Sequence, residues 1–386
     1  MASWTASVRG RDWAGAGGMK ICFFTASLGD GGAQRQCIAL LNALQHLPAV
    51  DVHLILLGPG EHEDRLDVSG LQVHRIAVDN FASPRALAFV VRTLHRVRPD
   101  VLISWLHPAD IWSYAATRVV RGIPWIITER GSAGSYPDVL NYNLRKRFGR
   151  RAAAAVIANS QPGRQMWSSL APHSPVHVIP NMVIDRAIPA EVGTDRTASV
   201  ECLFVGRLEP EKNVAAMTTA FTRFAATQPE ARLSVVGKGV HASDVARVAA
   251  DGGVSDRVEL LGFRRDVPQL MSRARLLLSF SLSEGMPNVL MEAAAAGLPA
   301  VVSDIPEHRA VLGDDYPYYV RLDSSPEAAA AVVAQAWAKG AGGEIYAFAK
   351  NVLATMAPET VVDAYVDVFA NVIARAGPRR DLVGGL

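Results

Sequence analysis

Two glutamates and two basic residues in the second half of the chain have the types and spacing to hold a polar ligand. Glu284 and Glu292, with seven residues between them, flank the start of a predicted helix that follows an apolar run. Carboxylates at such an edge accept hydrogen bonds from hydroxyl groups. Arg207 and Lys212 stand beside another predicted helix start, where an anion between them would relieve their repulsion. The four side chains together favour a ligand with both a diphosphate and hydroxyl groups.

Each of these features also has a purely structural interpretation. Glu284 could cap the helix that begins near Pro287, while Glu292 faces solvent. The two cations could be surface residues that pair with Glu209 and Glu211. Surface ion pairs of this kind are common and contribute little to stability, so the motifs taken singly leave both interpretations open.

A glycine-rich turn in the first half is the third candidate contact with an anion. Gly31 and Gly32 follow the strand pattern at 20–26 and precede a helical pattern over 33–47. Adjacent glycines let the backbone N–H groups of a helix start approach a phosphate closely. The spacing is not the GxGxxG of dinucleotide sites, so a tight strand-to-helix turn remains the alternative.

Polar residues also follow two further predicted strands of the first half. His107 lies in a loop where it could exchange a proton or contact a sugar, although a loop histidine can equally serve structure. Glu129 and Arg130 end the next strand. Taken alone, they could form an ion pair within their own loop.

A basic helix is predicted directly after these loops. Five cations fall within seven residues, 145–151, and Arg145, Lys146 and Arg147 are the first three of them. Residues 1–185 hold 19 basic and 13 acidic side chains, whereas the rest of the chain is net negative. Phosphate headgroups of a membrane or a lipid diphosphate would complement such a helix, and a solvated basic face is the alternative.

The elements that must position these residues alternate between short β-rich runs and helical patterns. Such alternation predicts parallel sheets covered by helices on both faces, and 386 residues suffice for about two domains. We therefore predict an α/β protein with two Rossmann-like, doubly wound parallel sheets that face each other across a cleft. The predicted parts are a disordered extension (1–18), a first domain (19–185), a linker (186–198) and a second domain (199–357). The final segment (358–386) is predicted to be a helix that packs back on the first domain, followed by a tail.

Composition excludes several classes of protein. A net charge of +2 gives no reason to expect nucleic-acid binding, and 49% hydrophobic residues argue against disorder. No apolar stretch reaches the roughly 18 residues of a spanning helix. The three cysteines lack metal-ligand spacing and fit buried thiols in a reducing cytoplasm. The first 18 residues do not resemble a signal peptide, and Met19 is an alternative start.

The order of the motifs over about residues 20 to 375 resembles the retaining glycosyltransferases of the GT-B fold, sequence family 4. The resemblance rests on the glycine pair, on VGRLEPEKN at 205–213, on LLGF at 260–263 and on SEGMPNVLMEAAAAGLPAVVSDIPEHRAVL at 283–312. The two-glutamate segment and the Gly-Arg-Leu…Glu-Lys-Asn segment are specific when they occur together at this spacing.

The resemblance implies roles for individual residues. Arg207 and Lys212 would bind the diphosphate of the donor and stabilise its departure, and Glu284 would hold the donor sugar. His107 joins these three as a candidate catalytic residue. The donor-binding residues that it implies are Gly31, Gly32, Gly206, Gly237, Phe263, Met286, Pro287, Asn288, Val289 and Glu292. The acceptor or membrane contacts that we predict are Glu129, Arg130, Arg145, Lys146 and Arg147.

We accordingly expect a metal-independent transfer of a hexose or N-acetylhexosamine from a nucleotide-diphosphate sugar to a glycan. No cofactor is expected, and a UDP-sugar is favoured over a GDP-sugar as donor. The acceptor is expected to be lipid-linked, in bacterial surface polysaccharide or glycoconjugate synthesis, with peripheral contact to the inner face of an anionic membrane and no nucleic-acid partner. A soluble small acceptor and a non-catalytic subunit that binds nucleotide sugars remain the alternatives. A dehydrogenase is not favoured, because its glycine pattern is missing.

Overall fold

Apolar β-rich runs and amphipathic helices alternate along both halves of the chain, and each half forms its own parallel sheet in the computed structural model. The structure describes residues 18–29, 31–81, 83–131, 139–184, 199–339 and 347–377, without the side chains of 107, 108, 139–141 and 347. Two units result, unit 1 from Met1–Met182 with Ala357–Leu386 and unit 2 from Val183–Met356. The predicted extension (except Gly18), the linker 186–198 and the tail after 377 lie outside the described residues.

Unit 1 is built on a sheet that has seven parallel strands in the described ranges. The strand order is β3-β2-β1-β4-β5-β6-β7. Apolar residues of these strands are buried on both faces, as parallel sheets between helices require. The strands are β1 Met19–Thr25, β2 Val50–Leu56, β3 Leu71–Arg75, β4 Val101–Trp105, β5 Trp125–Glu129, β6 Ala153–Ala158 and β7 Val176–Val178. The helices that connect them are α1 Gly32–Leu44, α2 Pro84–Val97, α3 His107–Val119, α4 Val139–Ala152 and α5 Gln161–Leu170, with a 3-10 turn at Glu63–Arg65.

Local sequence explains where these helices begin and end. Before α2, the hydroxyl of Ser83 accepts a hydrogen bond from the backbone N–H of Ala86, and Pro84 takes the first helical position. The helix ends where Arg98 adopts a left-handed conformation with φ 49°.

Unit 2 repeats the same strand order in a six-stranded parallel sheet over the described part of its chain. The order is β10-β9-β8-β11-β12-β13. The strands are β8 Glu201–Val205, β9 Arg232–Val236, β10 Val258–Gly262, β11 Leu276–Ser279, β12 Ala300–Ser303 and β13 Tyr319–Val320. The helices are α6 Val214–Ala225, α7 Ala242–Asp251, α8 Val267–Arg273, α9 Asn288–Ala295, α10 Pro306–Leu312, α11 Pro326–Lys339 and α12 Ala347–Thr355, with 3-10 turns at Pro210–Lys212 and Ser255–Arg257.

The last helix, α13 Pro358–Ala376, belongs to unit 1. It packs beside α1 and β4, where Phe369 is fully buried and meets the ring of Phe23 edge to face at 6.2 Å. Burial of this apolar stripe is the force that holds the end of the chain on the unit that began it.

Both sheets reverse their strand order at one point, and ligands of doubly wound sheets bind beside that point. The reversal lies between β1 and β4 in unit 1 and between β8 and β11 in unit 2. The glycine pair follows β1 and His107 follows β4. In the same way Arg207 follows β8 and Glu284 follows β11. The predicted residues are therefore carried by the loops at the binding edges of the two sheets.

Candidate active site

Three loops at the edge of the unit 2 sheet are joined by backbone hydrogen bonds. The N–H of Gly206 donates to the carbonyl of Val236 at 2.9 Å, and the N–H of Gly237 donates to the carbonyl of Gly262 at 2.8 Å. Gly237 has φ +140°, and a Cβ there would lie 1.8 Å from the carbonyl oxygen of Gly206. Only glycine fits this position, which explains the residue type found here.

Lys212 and Glu284 form the central contact of the unit 2 edge. The Lys212 ammonium lies 2.6 Å from Oε1 of Glu284, and the side chains are 19% and 12% exposed. The hydroxyl of Ser281 donates to the same carboxylate oxygen at 2.7 Å. Lys212 stands at the end of the 3-10 turn Pro210–Lys212, two residues before α6 begins. A loop after β8 and a loop after β11 thus bring a cation and a carboxylate together.

The charge state of Glu284 follows from two opposed effects. Burial alone would raise the pKa of this carboxyl. The Lys212 ammonium and its hydrogen bond, helped by His308 and Ser281, outweigh burial and hold the pKa of Glu284 below its ordinary value. The Glu284 carboxyl is therefore ionised at neutral pH.

Arg207 is placed differently from Lys212. Its guanidinium is 57% exposed and donates to Glu211 at 2.8 Å. The interpretation of Arg207 as a surface cation paired with Glu211 therefore describes its geometry here, whereas the same interpretation is wrong for Lys212. An exposed pair of this kind is weak and is easily exchanged for a phosphate.

The helix α9 settles two alternatives for the glutamates. Its N-cap is Pro287, and no side chain caps it, so Glu284 is not the cap. Glu292 is 7% exposed within α9, so it does not face solvent. Around the helix start, Met286, Asn288 and Val289 are half-buried. Half-buried Phe263 follows β10 at the same edge. Their donor contacts stay predictions.

The glycine turn in unit 1 opens the longer helix α1. Gly31 is its N-cap, with φ −80°, and Gly32 is its first residue. The first turn carries no acidic residue and no side-chain cap. The indole N–H of Trp105, at the end of β4, donates to the carbonyl of Ala33 at 2.9 Å and fixes this turn to the edge of the sheet. The geometry is that of a helix start without a side-chain cap, and its use by a donor phosphate stays a prediction.

A buried ionic cluster lies behind the first-half loops. Arg145 of α4 is 1% exposed and forms ion pairs with Asp110 and, at 2.5 Å, with Glu129. Both carboxylates are fully buried. Glu129 also accepts hydrogen bonds from the indole of Trp167 at 2.8 Å and from the N–H of Gly131 at 3.0 Å. The cluster ties α3, β5, α4 and α5 together below the loop that carries Arg130.

One prediction for this region is wrong, and one of the structural alternatives does not hold. Arg145 is not an exposed membrane contact, because α4 turns it inward between two carboxylates. Glu129 and Arg130 do not pair with each other, because the partner of Glu129 is Arg145. Burial also raises the pKa of Asp110 to about 6, against the opposing effects of Arg145 and Ser104.

Arg130 is held without a carboxylate partner among the described residues. Its guanidinium stacks 4.0 Å from the Trp105 ring and donates to the Tyr365 hydroxyl and to Asn181, the latter at 3.3 Å. Tyr365 lies on α13, so the last helix supports this loop. A half-buried cation without a counterion is well placed to receive an anion.

The remaining first-half residues have less defined surroundings. His107 begins α3, and its side chain lies outside the described residues. The Lys146 ammonium lies 4.1 Å from the Tyr142 ring, whereas Arg147 is exposed. Within the ranges that the structure covers, no three His, Cys, Asp or Glu side chains are grouped to hold a metal ion. No helix in those ranges is long and apolar enough to cross a bilayer.

Four residues that complete these sites were not predicted from the sequence. Asp110 and Tyr365 support the first-half loops, and Ser281 and buried His308 stand behind Glu284. The sequence offered no signal for Tyr365, because it is far along the chain. His308 falls within the segment that carries the resemblance, but its type and position alone do not distinguish it from a core residue.

Two doubly wound units with ligand-binding loops at the carboxyl ends of their strands define a class of nucleotide-binding α/β enzymes. Models of known families match both units. "Glycosyltransferase Family 4" matches residues 30–185 and "Glycosyl transferases group 1" matches residues 199–339.

Individual relatives agree with these matches. The lipopolysaccharide core biosynthesis glycosyltransferase LpsE of Rhizobium meliloti is 24% identical over 70% of this chain and 75% of its own. A GalNAc-α-(1→4)-GalNAc-α-(1→3)-diNAcBac-PP-undecaprenol α-1,4-N-acetyl-D-galactosaminyltransferase of Campylobacter jejuni is 27% identical over 71% of this chain and 76% of its own. Among solved structures, Anabaena HepE in complex with UDP and glucose superposes with a TM-score of 0.76, at 20% identity, over 92% of this chain and 100% of its own. The chain belongs to the group 1 glycosyltransferases with the GT-B fold.

Proposed function

We propose that the protein transfers a hexose or N-acetylhexosamine, with retention of configuration, from a nucleotide-diphosphate sugar to a lipid-linked glycan. The observation that carries this proposal is the contact between Lys212 and Glu284 at the binding edge of unit 2. This contact places a cation that could bind a diphosphate beside a carboxylate that could bind sugar hydroxyls.

The chemistry of the donor explains why a cation is needed at this edge. Cleavage of the bond between sugar and diphosphate builds negative charge on the leaving phosphate, and fixed positive charge stabilises that transition state. Lys212 is held in place for this role, and exposed Arg207 can exchange Glu211 for the phosphate. Because these side chains supply the positive charge, we propose that turnover does not depend on a metal ion. Retention would follow if the leaving phosphate accepts the acceptor proton on the same face, and no protein nucleophile is assigned.

The relatives support particular substrates. HepE binds UDP and glucose, which favours a UDP-sugar over a GDP-sugar here. The name of the C. jejuni relative includes an acceptor on undecaprenol diphosphate. This favours a lipid diphosphate as the anchor of the acceptor here. In unit 1, Arg130 is the cation that we assign to that anion, because no carboxylate of the described residues neutralises it.

The donor is tested by a binding and turnover screen. The purified protein is heated with UDP-, GDP-, ADP- and dTDP-sugars in the presence of EDTA, first without acceptor and then with a short glycan on a polyprenyl diphosphate. We expect one nucleotide series to raise the melting temperature, and EDTA to leave turnover unchanged. The anomeric coupling of the product in proton NMR reports retention or inversion. No stabilisation by any nucleotide sugar would refute the proposed function.

The acceptor assignment is tested with Arg130. Arg130→Ala should raise KM for the lipid diphosphate acceptor and leave KM for the donor unchanged, because Lys212 and Glu284, to which we assign the donor diphosphate and sugar, belong to unit 2. Exposed Arg92→Ala on α2 is the matched control, and it should change neither constant. Equal effects on both substrates would show that Arg130 serves structure rather than the acceptor.

A basic surface on unit 1 supports peripheral contact with an anionic membrane. Arg147, Arg150 and Arg151 of α4 are exposed, as is Arg118 of neighbouring α3. The only carboxylate on these two helices is Asp110, which is buried. Cations without interspersed acids attract anionic headgroups, by about 1 kcal/mol each.

Neutralising three of these arginines tests the membrane contact. Arg147→Gln, Arg150→Gln and Arg151→Gln together should reduce binding to vesicles of anionic lipid and leave release of free nucleotide from the donor unchanged. Vesicles of neutral lipid are the control. Unchanged binding to anionic vesicles would contradict the proposal.

A further inference from the structure

His308 is a fully buried histidine of α10 with one ring nitrogen unpaired. Its Nδ1 lies 2.8 Å from the carbonyl oxygen of Ser303. Because a carbonyl only accepts, Nδ1 must carry the hydrogen, and in the neutral ring Nε2 then holds a lone pair. Nε2 is buried and has no hydrogen-bond partner among the described residues. A buried acceptor without a partner is costly, so it calls for a functional reason.

A chain of hydrogen bonds leads from His308 to the proposed donor site. Ser303, which accepts from His308, donates through its hydroxyl to the carbonyl of Ser281. The Ser281 hydroxyl donates at 2.7 Å to Oε1 of Glu284, and that oxygen also meets the Lys212 ammonium at 2.6 Å. Both serines are buried, so the chain is shielded from water. His308 therefore supports the carboxylate that faces Lys212.

The charges near His308 oppose each other. Burial lowers the pKa of His308, the Glu284 carboxylate raises it, and the Lys212 ammonium lowers it again. On the same helix, burial and the nearby Glu284 carboxylate raise the pKa of half-buried Glu307. Of the helices packed against α10, α9 carries Glu292 and α12 carries Lys350. While Lys212 neutralises Glu284, the ring stays neutral.

We propose that His308 is a positioning residue that takes up one proton at Nε2 when a bound diphosphate draws Lys212 away from Glu284. The proposal rests on the proposed function, since the diphosphate is that of the donor. The proton comes from solvent, Nδ1 keeps its hydrogen on the Ser303 carbonyl, and the ring becomes an imidazolium. Its charge replaces that of Lys212 near the buried carboxylate, so Glu284 remains ionised and able to accept sugar hydroxyls. Proton uptake thus accompanies nucleotide binding.

The test counts protons as nucleotide binds to the full chain. Titration calorimetry with UDP in two buffers of different ionisation enthalpy gives the number of protons taken up per nucleotide. His308→Asn is the matched variant, because its amide N–H can still donate to Ser303 while Nε2 is deleted. We expect proton uptake in the wild type and its loss in His308→Asn. Any proton that the UDP phosphate releases on binding is released in both proteins, so it cancels in the comparison. Glu284→Gln should also abolish the uptake.

The outcomes separate the two proposals. If UDP binds and the wild type and His308→Asn exchange the same number of protons, the inference is wrong while the proposed function stands. If no nucleotide diphosphate binds the wild type, both are overturned. Should His308→Asn fail to fold, nitrogen NMR of labelled histidine in the wild type decides. One histidine must change from the Nδ1–H tautomer to the doubly protonated form on UDP binding, and its failure to do so overturns the inference.

Discussion

Removal of the Lys212 charge should destabilise unit 2 in a manner that depends on pH. In Lys212→Met the stem of the side chain is retained and the ammonium is lost. The Glu284 carboxylate then stays in its partly buried position with only the Ser281 hydroxyl as its remaining close partner in the described part of the chain. The variant separates the charge of Lys212 from its packing.

The expected loss in the free energy of unfolding lies between the values for exposed and for buried ion pairs. Breaking a fully buried ion pair costs about 3–5 kcal/mol, and an exposed pair contributes about 0–1 kcal/mol. With side chains 19% and 12% exposed, this pair lies between the two cases, so we expect about 2 kcal/mol. For a unit of this size that free energy corresponds to a fall in melting temperature of about 4–8 °C.

The sign of the pH dependence follows from the pKa of Glu284. In the wild type this pKa is lowered, so the pair stabilises the folded state above the ordinary pKa of a glutamate and ceases to do so as pH falls through the lowered value. Without Lys212, burial dominates and the pKa rises above its ordinary value. The folded state of the variant is then most stable at low pH, and it loses stability as pH rises. The difference between wild type and Lys212→Met should therefore be larger at pH 8 than at pH 5.

Calorimetric unfolding at both pH values measures this difference, and hydrogen exchange of peptides from 199–339 assigns it to unit 2. The double variant Lys212→Met, Glu284→Gln is the control, because removal of both charges should recover part of the stability and abolish the pH dependence. A loss that is equal at pH 5 and pH 8 would refute the electrostatic reasoning. Unchanged turnover of the donor by Lys212→Met would refute the phosphate assignment.

Three further changes test the remaining structural arguments. Arg145→Met should cost about 3–5 kcal/mol in urea unfolding because it leaves two carboxylates buried, whereas exposed Arg147→Met should stay within about 0.5 kcal/mol. The pKa of Asp110, raised to about 6, favours the protonated form in the folded state. The contribution of Asp110 to stability should therefore fall as pH rises from about 4 to about 6, and the difference between wild type and Asp110→Asn in a pH series of unfolding curves measures it. Gly237→Ala should lower the melting temperature and weaken nucleotide binding, because its Cβ would meet the carbonyl of Gly206.

The sequence predicted the sheets well, and it predicted the loops at their edges. Strands such as Val101–Trp105 and Leu276–Ser279 are apolar apart from one serine each, which is the pattern of parallel strands buried on both faces. Because side chains that follow such strands share one edge, Arg207 and Glu284 could be placed on the same edge before any coordinates were known. Their chemistry was also apparent from residue type.

The partners of the charged residues were not predictable from the chain alone. A run of cations looks uniform in sequence, yet the helical period turns Arg145 to the core and leaves Arg147 in solvent. The assignment of Glu129 to Arg145 rather than to adjacent Arg130 depends on how α4 packs beside β5. Adjacent residues of opposite charge are a poor guide to pairing when the backbone directs their side chains apart.

The sequence by itself determined the fold class and the family, and it supplied the candidate residues for binding a nucleotide sugar. These properties follow from periodicity and from motifs of a few adjacent residues, which are local in the chain. Tertiary structure alone decided that Lys212 pairs with Glu284, that Tyr365 supports Arg130, and that His308 is buried with an unpaired nitrogen. These contacts join residues from different strands and helices, and burial sets the charge states of those residues. The contacts and the charge states both depend on tertiary packing, which a local sequence pattern does not contain.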